Sequence, residues 1–271
     1  MGPVHLTVAD LARSLEYWVS AIGLRVLDRE NGRASLGADQ EVVVLVEEPG
    51  AEPDHGHTGL YHVALLVPDR QTLARWLGHA LRDRVALTGL SDHYVSEAIY
   101  LRDPDHHGIE IYADRPRELW EGQVARRMTT LPLDVDDLLG TIDDPTQPFD
   151  GLGDGTTVGH VHLKVADVPA AVGFYRGVLG FDLTAQVGSA AAFLAAGGYH
   201  HHVGANTWES RGASPAPSGS ATLRHATIVL PDDDERDRVA GRVATAGQEP
   251  EAGDGGLFVR DPAGNHLLLT A

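Results

Sequence analysis

None of the 271 residues is a cysteine. That absence removes disulfides, cysteine-ligated zinc, iron–sulfur clusters and thiol nucleophiles together. Basic residues are scarce as well: 21 lysines and arginines face 39 acids, for a formal net charge of -18. Nucleic acid and anionic membrane surfaces are both bound through basic patches, so neither is expected as a partner. No apolar run approaches the length of a membrane span. The N-terminus leads straight into a strand-like pattern rather than a signal peptide, and a cytoplasmic protein is the expectation. Aromatic residues are few, with seven Tyr and four Trp, whereas histidine is plentiful at fifteen. Polar chemistry here has to run on His, Asp, Glu and Tyr. An apolar content of 42% supports sizeable cores, and the length suits one large or two ordinary domains.

The chain repeats itself four times. Four strand-like runs each end at an aspartate: Val4-His5-Leu6-Thr7-Val8-Ala9-Asp10, Tyr61-His62-Val63-Ala64-Leu65-Leu66-Val67-Pro68-Asp69, Gly159-His160-Val161-His162-Leu163-Lys164-Val165-Ala166-Asp167, and Leu223-Arg224-His225-Ala226-Thr227-Ile228-Val229-Leu230-Pro231-Asp232. A helical pattern follows each, and the aspartates are placed to cap those helices. In the first copy Leu11, Leu15, Trp18 and Ile22 recur at helical spacing before Gly23. In the third, Val172, Tyr175 and Leu179 do so before Gly180. Three strand-like runs come after each helix, at 25–29, 34–37 and 41–47 in the first copy and at 84–87, 98–102 and 109–113 in the second. Asp103-Pro104 and Asp261-Pro262 each open a turn before the last strand. The organisation is two βαβββ modules in 1–121 (about 1–58 and 59–121), a connector at 122–157, and two more modules in 158–271 (about 158–220 and 221–271). The connector is rich in Asp, Gly and Pro, including Asp143-Asp144-Pro145, and a short capped helix is expected near Asp134–Leu139. Residues 211–220 read as a long loop.

A repeated βαβββ unit opening on His-x-x-Leu-x-Val-x-Asp and closing on Gly108-Ile109-Glu110-Ile111-Tyr112 resembles the vicinal oxygen chelate superfamily. That group holds glyoxalase I, the type I extradiol dioxygenases and the bleomycin- and fosfomycin-resistance proteins. The runs Ser91-Asp92-His93-Tyr94 and Gly197-Gly198-Tyr199-His200-His201-His202 resemble its two-domain catechol 2,3-dioxygenase branch. The implied fold is α+β, with the four modules paired into two curved-sheet cups. The implied activity is metal-dependent extradiol cleavage of a small catechol-like aromatic by dioxygen. Iron(II) is the implied cofactor, manganese(II) the alternative, and a homodimer is left open as the assembly.

In such dioxygenases one module supplies a His from its first strand, and its partner supplies a His from its first strand and a Glu from its last. The matching positions here are Pro3, His62, His160 and His225 on the four first strands, with Glu110 on the second module's last strand and Leu268 on the fourth's. Pairing neighbouring modules leaves each set incomplete. Pairing the second with the third assembles His62, Glu110 and His160, and modules one and four then form a vestigial cup. His5 and His162 lie two residues beyond the ligand phase; His162 is expected to line the pocket and His5 to be structural.

The resemblance also implies a Tyr and a His for proton transfer. Tyr100 has the required spacing from Glu110. Strand alternation through the triple-His run puts His200 and His202 on one face and His201 on the other, so His200 and His202 are the expected acid–base pair. His93 is expected to close over substrate, with Asn206 and Trp208 shaping the pocket. His106 and His107 read as exposed turn residues. Two other functions stay open on the same fold: a glyoxalase- or epimerase-like lyase or isomerase reaction, separated by its lack of oxygen consumption, and a metal-free small-molecule binding protein.

Overall fold

The computed structural model describes residues 1–144, 147–253 and 255–271, so Pro145 of the connector lies outside the described residues. All four aspartates cap helices. Asp10, Asp69, Asp167 and Asp232 accept the backbone N–H three residues on, from Arg13, Thr72, Ala170 and Glu235. Helices Leu11–Tyr17, Arg70–Arg82, Val168–Phe174 and Asp233–Thr245 start directly behind them. Such a cap satisfies a donor that the first helical turn leaves orphaned. The first and third helices run on into single π-helical stretches, Trp18–Ile22 and Tyr175–Leu179. Gly23 and Gly180 close them at φ 88 and 91, a left-handed backbone that a side chain would strain.

The described strands form two large sheets and one small pairing. The nine-stranded sheet joins modules two and three, and the eight-stranded sheet joins modules one and four. At the centre of the larger sheet, Gly59–Leu66 runs antiparallel to Thr157–Lys164, with His62 opposite His162 and Ala64 opposite His160. On its other edge Gly59–Leu66 pairs in parallel with Gly108–Asp114, which sets Ala64 beside Glu110. In the smaller sheet Val4–Val8 lies antiparallel to Leu223–Val229, with His5 opposite His225. Each half of the sequence therefore contributes one module to each sheet.

Sequence neighbours meet instead through their helices and turns. The Trp76 indole donates to the Ile22 carbonyl at 3.0 Å, and the Trp18 indole donates to Asp103 at 3.2 Å. In the second half the Tyr175 hydroxyl donates to Asp261 at 3.1 Å, and Arg242 donates to the Val178 carbonyl at 2.7 Å. Apolar side chains from all four modules fill one continuous core, with Trp18, Trp76 and Tyr175 among its largest fully buried members.

Two expectations need correcting. The strand expected at 84–87 begins later, as Leu87–Asp92, because Arg84 adopts φ 57 just after the helix and turns the chain first. His107 is buried, not exposed: its Nε2 donates to the Thr7 carbonyl at 2.9 Å and so ties the Asp-Pro turn to the first module. Only His106 is exposed there. In the connector, Asp134 caps the short helix Val135–Leu139, and Leu131–Pro132 pairs as an edge strand with Leu87–Asp92. An edge is where a strand tolerates proline. Within the loop expected at 211–220, the chain ends by pairing Ser220–Ala221 with Glu52–Pro53.

Candidate metal centre

Gly59–Leu66, Thr157–Lys164 and Gly108–Asp114 lie side by side, and period-2 alternation turns His62, His160 and Glu110 onto their shared concave face. Two glycines make the approach fit. A Cβ at Gly108 would strike the Tyr61 carbonyl, and one at Gly159 would strike the Tyr112 hydroxyl. The His62 Nε2 lies 2.9 Å from Glu110 Oε2, the His160 Nε2 lies 3.2 Å from the same oxygen, and the two nitrogens are 3.4 Å apart. All three residues are buried. This is the one cluster among the described residues whose donor atoms could share a cation.

The spacing suits a divalent ion. Three donors on one face of an octahedron, each about 2.2 Å from the ion, lie about 3.1 Å apart. Two imidazoles and one carboxylate, all on one side, leave the opposite side open toward a cavity of about 620 Å3. Burial alone pushes the Glu110 carboxyl up, but the flanking His160 and His62 overcome it and hold the group well below the usual carboxylate range. The carboxylate is thus kept charged without the ion.

Most of the residues singled out in the sequence line this cavity. His162, Tyr100, His93 and Trp208 do. The His162 ring stands 5.0 Å from the His62 ring, and its Nε2 is buried with no partner. Trp208 is exposed and packs edge-on to Tyr61 and at a tilt to His162, at the rim. His93 bridges the Thr129 carbonyl (Nδ1, 2.7 Å) and the Tyr100 hydroxyl (Nε2, 2.7 Å). A carbonyl only accepts, so Nδ1 carries the proton, and in the neutral ring Nε2 accepts from Tyr100. Burial, followed by the Glu110 charge, pushes the Tyr100 hydroxyl well above its usual pKa, so it stays protonated as a donor.

Three placements differ from expectation. His201 lines the cavity, whereas His200 and His202 do not. The triple-His run is no strand: Gly197 and Gly198 both take positive φ, and regular pairing resumes only at Val203–Asn206, so alternation does not apply. His202 instead accepts the Ala196 N–H at its Nδ1, 3.2 Å away, and burial lowers its pKa to about 4. Asn206 is buried behind the cavity wall, where its Oδ1 accepts the Trp208 N–H at 3.1 Å in a local turn. Sequence reasoning also missed the connector, which lays Ala125, Met128, Thr129 and Thr130 over the cavity. In the other cup the His5 and His225 rings stack at 3.9 Å with no carboxylate at Leu268, and no metal-type cluster occurs there among the described residues.

The comparisons with known proteins agree with this picture. The sequence profile of the Glyoxalase/Bleomycin resistance protein/Dioxygenase superfamily matches residues 1–111 and 157–269, and the chain belongs to that superfamily. It is 42% identical to the Catechol-2,3-dioxygenase of Bacillus subtilis (strain 168), across 97% of this chain and 93% of that protein. Among solved structures, glyoxalase I from Zea mays superposes with a TM-score of 0.60 at 17% identity, over 99% of this chain and 91% of that one. The cppA protein of Streptococcus pneumoniae TIGR4 gives 0.56 at 12% identity, over 98% and 95%. At those identities the likeness is one of fold. No helix among the described residues is long and apolar enough to cross a membrane.

The histidines make a prediction about acid. Burial lowers the pKa of His160, His162 and His201, and it lowers His5 to about 3 and His225 to about 4. The folded protein therefore holds these rings neutral to lower pH than the unfolded chain, whose histidines bind protons below about pH 6.5. Their contribution is complete above that value and is lost as pH falls, by up to about 1.4 kcal/mol per pH unit for each fully shifted ring. The melting temperature of metal-free protein should therefore drop steadily from pH 6.5 to 5. A flat profile over that interval would contradict neutral burial.

Proposed function

We propose that this chain is a cytoplasmic iron(II)-dependent extradiol dioxygenase that opens the ring of a catechol-like aromatic with dioxygen. The observation carrying this reading is the buried His62–Glu110–His160 triad at the floor of a cavity large enough for an aromatic substrate. Two proton-handling side-chain groups flank it, and the 42% identity to a Catechol-2,3-dioxygenase supports the reaction class. Bound at the triad, a redox-active divalent ion supplies the electron transfer between aromatic and dioxygen that side chains cannot.

The remaining roles belong to the chain itself. Phe193, Val187 and Met128 give the cavity an apolar wall that seats a ring and sheds water. His201, its unprotonated form favoured by burial and then by the neighbouring His160, lines the cavity where it can take the proton of a catechol hydroxyl and return it later. Its ring lies 4.0 Å from that of His160, which places it beside the triad. Across the cavity Tyr100 holds a proton on its hydroxyl, oriented by His93. Tyr100→Phe keeps the ring and removes that proton; kcat should fall about 100-fold with KM nearly unchanged. Steady-state oxygen uptake decides it, and an unaltered kcat would remove Tyr100 from proton transfer.

The test of the reaction itself is anaerobic reconstitution with iron(II), followed by oxygen uptake across a panel of catechols. One oxygen consumed per yellow ring-opened product supports the proposal. Metal bound without oxygen consumption transfers the site to the lyase or isomerase class. Absence of metal binding leaves the binding-protein reading.

A further inference from the structure

Behind the cavity wall runs a polar chain in which the mechanism above leaves Asp114 and His200 unused. Glu110, Tyr112 and Asp114 fall on one face of the strand Gly108–Asp114, two residues apart. Glu110 serves the triad. Asp114, at the strand end, places Oδ1 2.9 Å from the Nε2 of His200, and the opposite ring nitrogen of His200, Nδ1, lies 2.7 Å from the Nδ1 of His201. His200 is fully buried, whereas the Asp114 side chain keeps 24% of its surface in solvent. The three groups therefore run in line from the protein surface to the cavity.

We infer that Asp114 and His200 are positioning residues that fix the tautomer of His201, leaving its Nε2 as a bare acceptor facing the substrate. Donor and acceptor capacities carry the argument. A carboxylate only accepts, so the His200 Nε2 bears hydrogen. A His200 ring carrying one hydrogen then accepts at Nδ1, and the bond to His201 requires the hydrogen on the His201 Nδ1. That leaves a lone pair on the His201 Nε2, and no protein group among the described residues hydrogen-bonds to this atom. Without Asp114 the sense of both bonds is free to reverse, which puts hydrogen on the His201 Nε2 and makes it a donor. A base that must accept a catechol proton is disabled by that reversal. Trp120, edge-on to His200 at 5.5 Å between ring centres, and Tyr199, tilted against it at 4.0 Å, hold the ring so that the bonds cannot swing instead.

The role of the base rests on the dioxygenase reading, but the tautomer does not, and the test separates them. Nitrogen-15 NMR of metal-free protein labelled at histidine reads each ring directly. The expected spectrum has His201 protonated at Nδ1 and bare at Nε2 in the wild type, with Nε2–H appearing in Asp114→Asn, a variant of the same shape. Wild-type His201 already protonated at Nε2, or an unchanged tautomer in Asp114→Asn, overturns the inference whatever the enzyme does. In the iron-loaded enzyme, Asp114→Asn should lower kcat about 100-fold or more, with KM and bound iron unchanged. Because the dyad acts through His201, Asp114→Asn should cost nothing further when added to His201→Ala. An equal loss in that background would show a merely structural role and refute the dyad. Where wild type consumes no oxygen with any catechol, the proposed reaction fails, while the NMR result still decides the tautomer.

Discussion

Glu110→Ala should yield a folded protein that no longer holds iron stoichiometrically and whose oxygen uptake with catechols falls at least ~1,000-fold. The carboxylate supplies the only anionic donor in the triad, so its loss leaves two neutral imidazoles facing a dication. Stability should change little. A carboxylate fixed between Ile109 and Ile111 is costly to desolvate, and in metal-free protein the neighbouring His62 and His160 offset that cost. The metal-free variant should therefore melt within a few degrees of wild type, as expected where function is held at the expense of stability. Added iron(II) separates the two proteins. An ion at about 1,000 times its Kd stabilises the native state by roughly 4 kcal/mol, so wild type should shift upward and the variant should not. Glu110→Gln, with the shape kept and the charge gone, should behave like the alanine. Full iron occupancy in either variant would falsify the assignment of Glu110 as a ligand.

Legibility in the sequence followed how local each signal was. The capping aspartates, the glycines at 23 and 180 and the repeated modules rest on side chains acting within a few residues, and the fold carries them as read. The pairing of module two with module three is a long-range fact, yet it was recoverable because the ligand types had to make one complete set. What failed was alternation applied across the triple-His run. Gly197 and Gly198 were visible in the sequence and were the signal that the chain turns there instead of entering a strand. Asn206 followed the same logic: two residues before a bulky aromatic, its amide closes a turn on its own backbone in preference to facing a ligand. Asp114 was beyond the sequence altogether. Its spacing of four from Glu110 implies only a shared strand face, and nothing local names His200, 86 residues away, as its partner.

The second large effect is expected far from the cavity, at the two Asp-Pro turns. Asp103→Ala should destabilise the protein by about 3–5 kcal/mol. The Asp103 carboxylate is buried and accepts three hydrogen bonds: from the Asp105 N–H at 3.0 Å, the His107 N–H at 2.8 Å and the Trp18 indole at 3.2 Å. Two of these shape the turn, and the third reaches into the π-helical stretch of module one, so one group both folds the hairpin and fastens the larger sheet to the smaller one. Alanine leaves all three donors buried and unpaired, which costs more than the bonds themselves contribute in net terms. Asp261 repeats the device in the other half, accepting from the Ala263 and Asn265 N–H groups at 2.8 and 2.9 Å and from the Tyr175 hydroxyl at 3.1 Å. Asp261→Ala should cost a similar amount. Urea unfolding with an unchanged m-value measures both; a loss under about 1 kcal/mol at either position would mean water or a relaxed turn replaces the carboxylate. The two variants should part over iron. The turn at Asp103 leads through Gly108 to Glu110, whereas the turn at Asp261 leads to Leu268, so weakened iron binding in the folded state is expected only from Asp103→Ala.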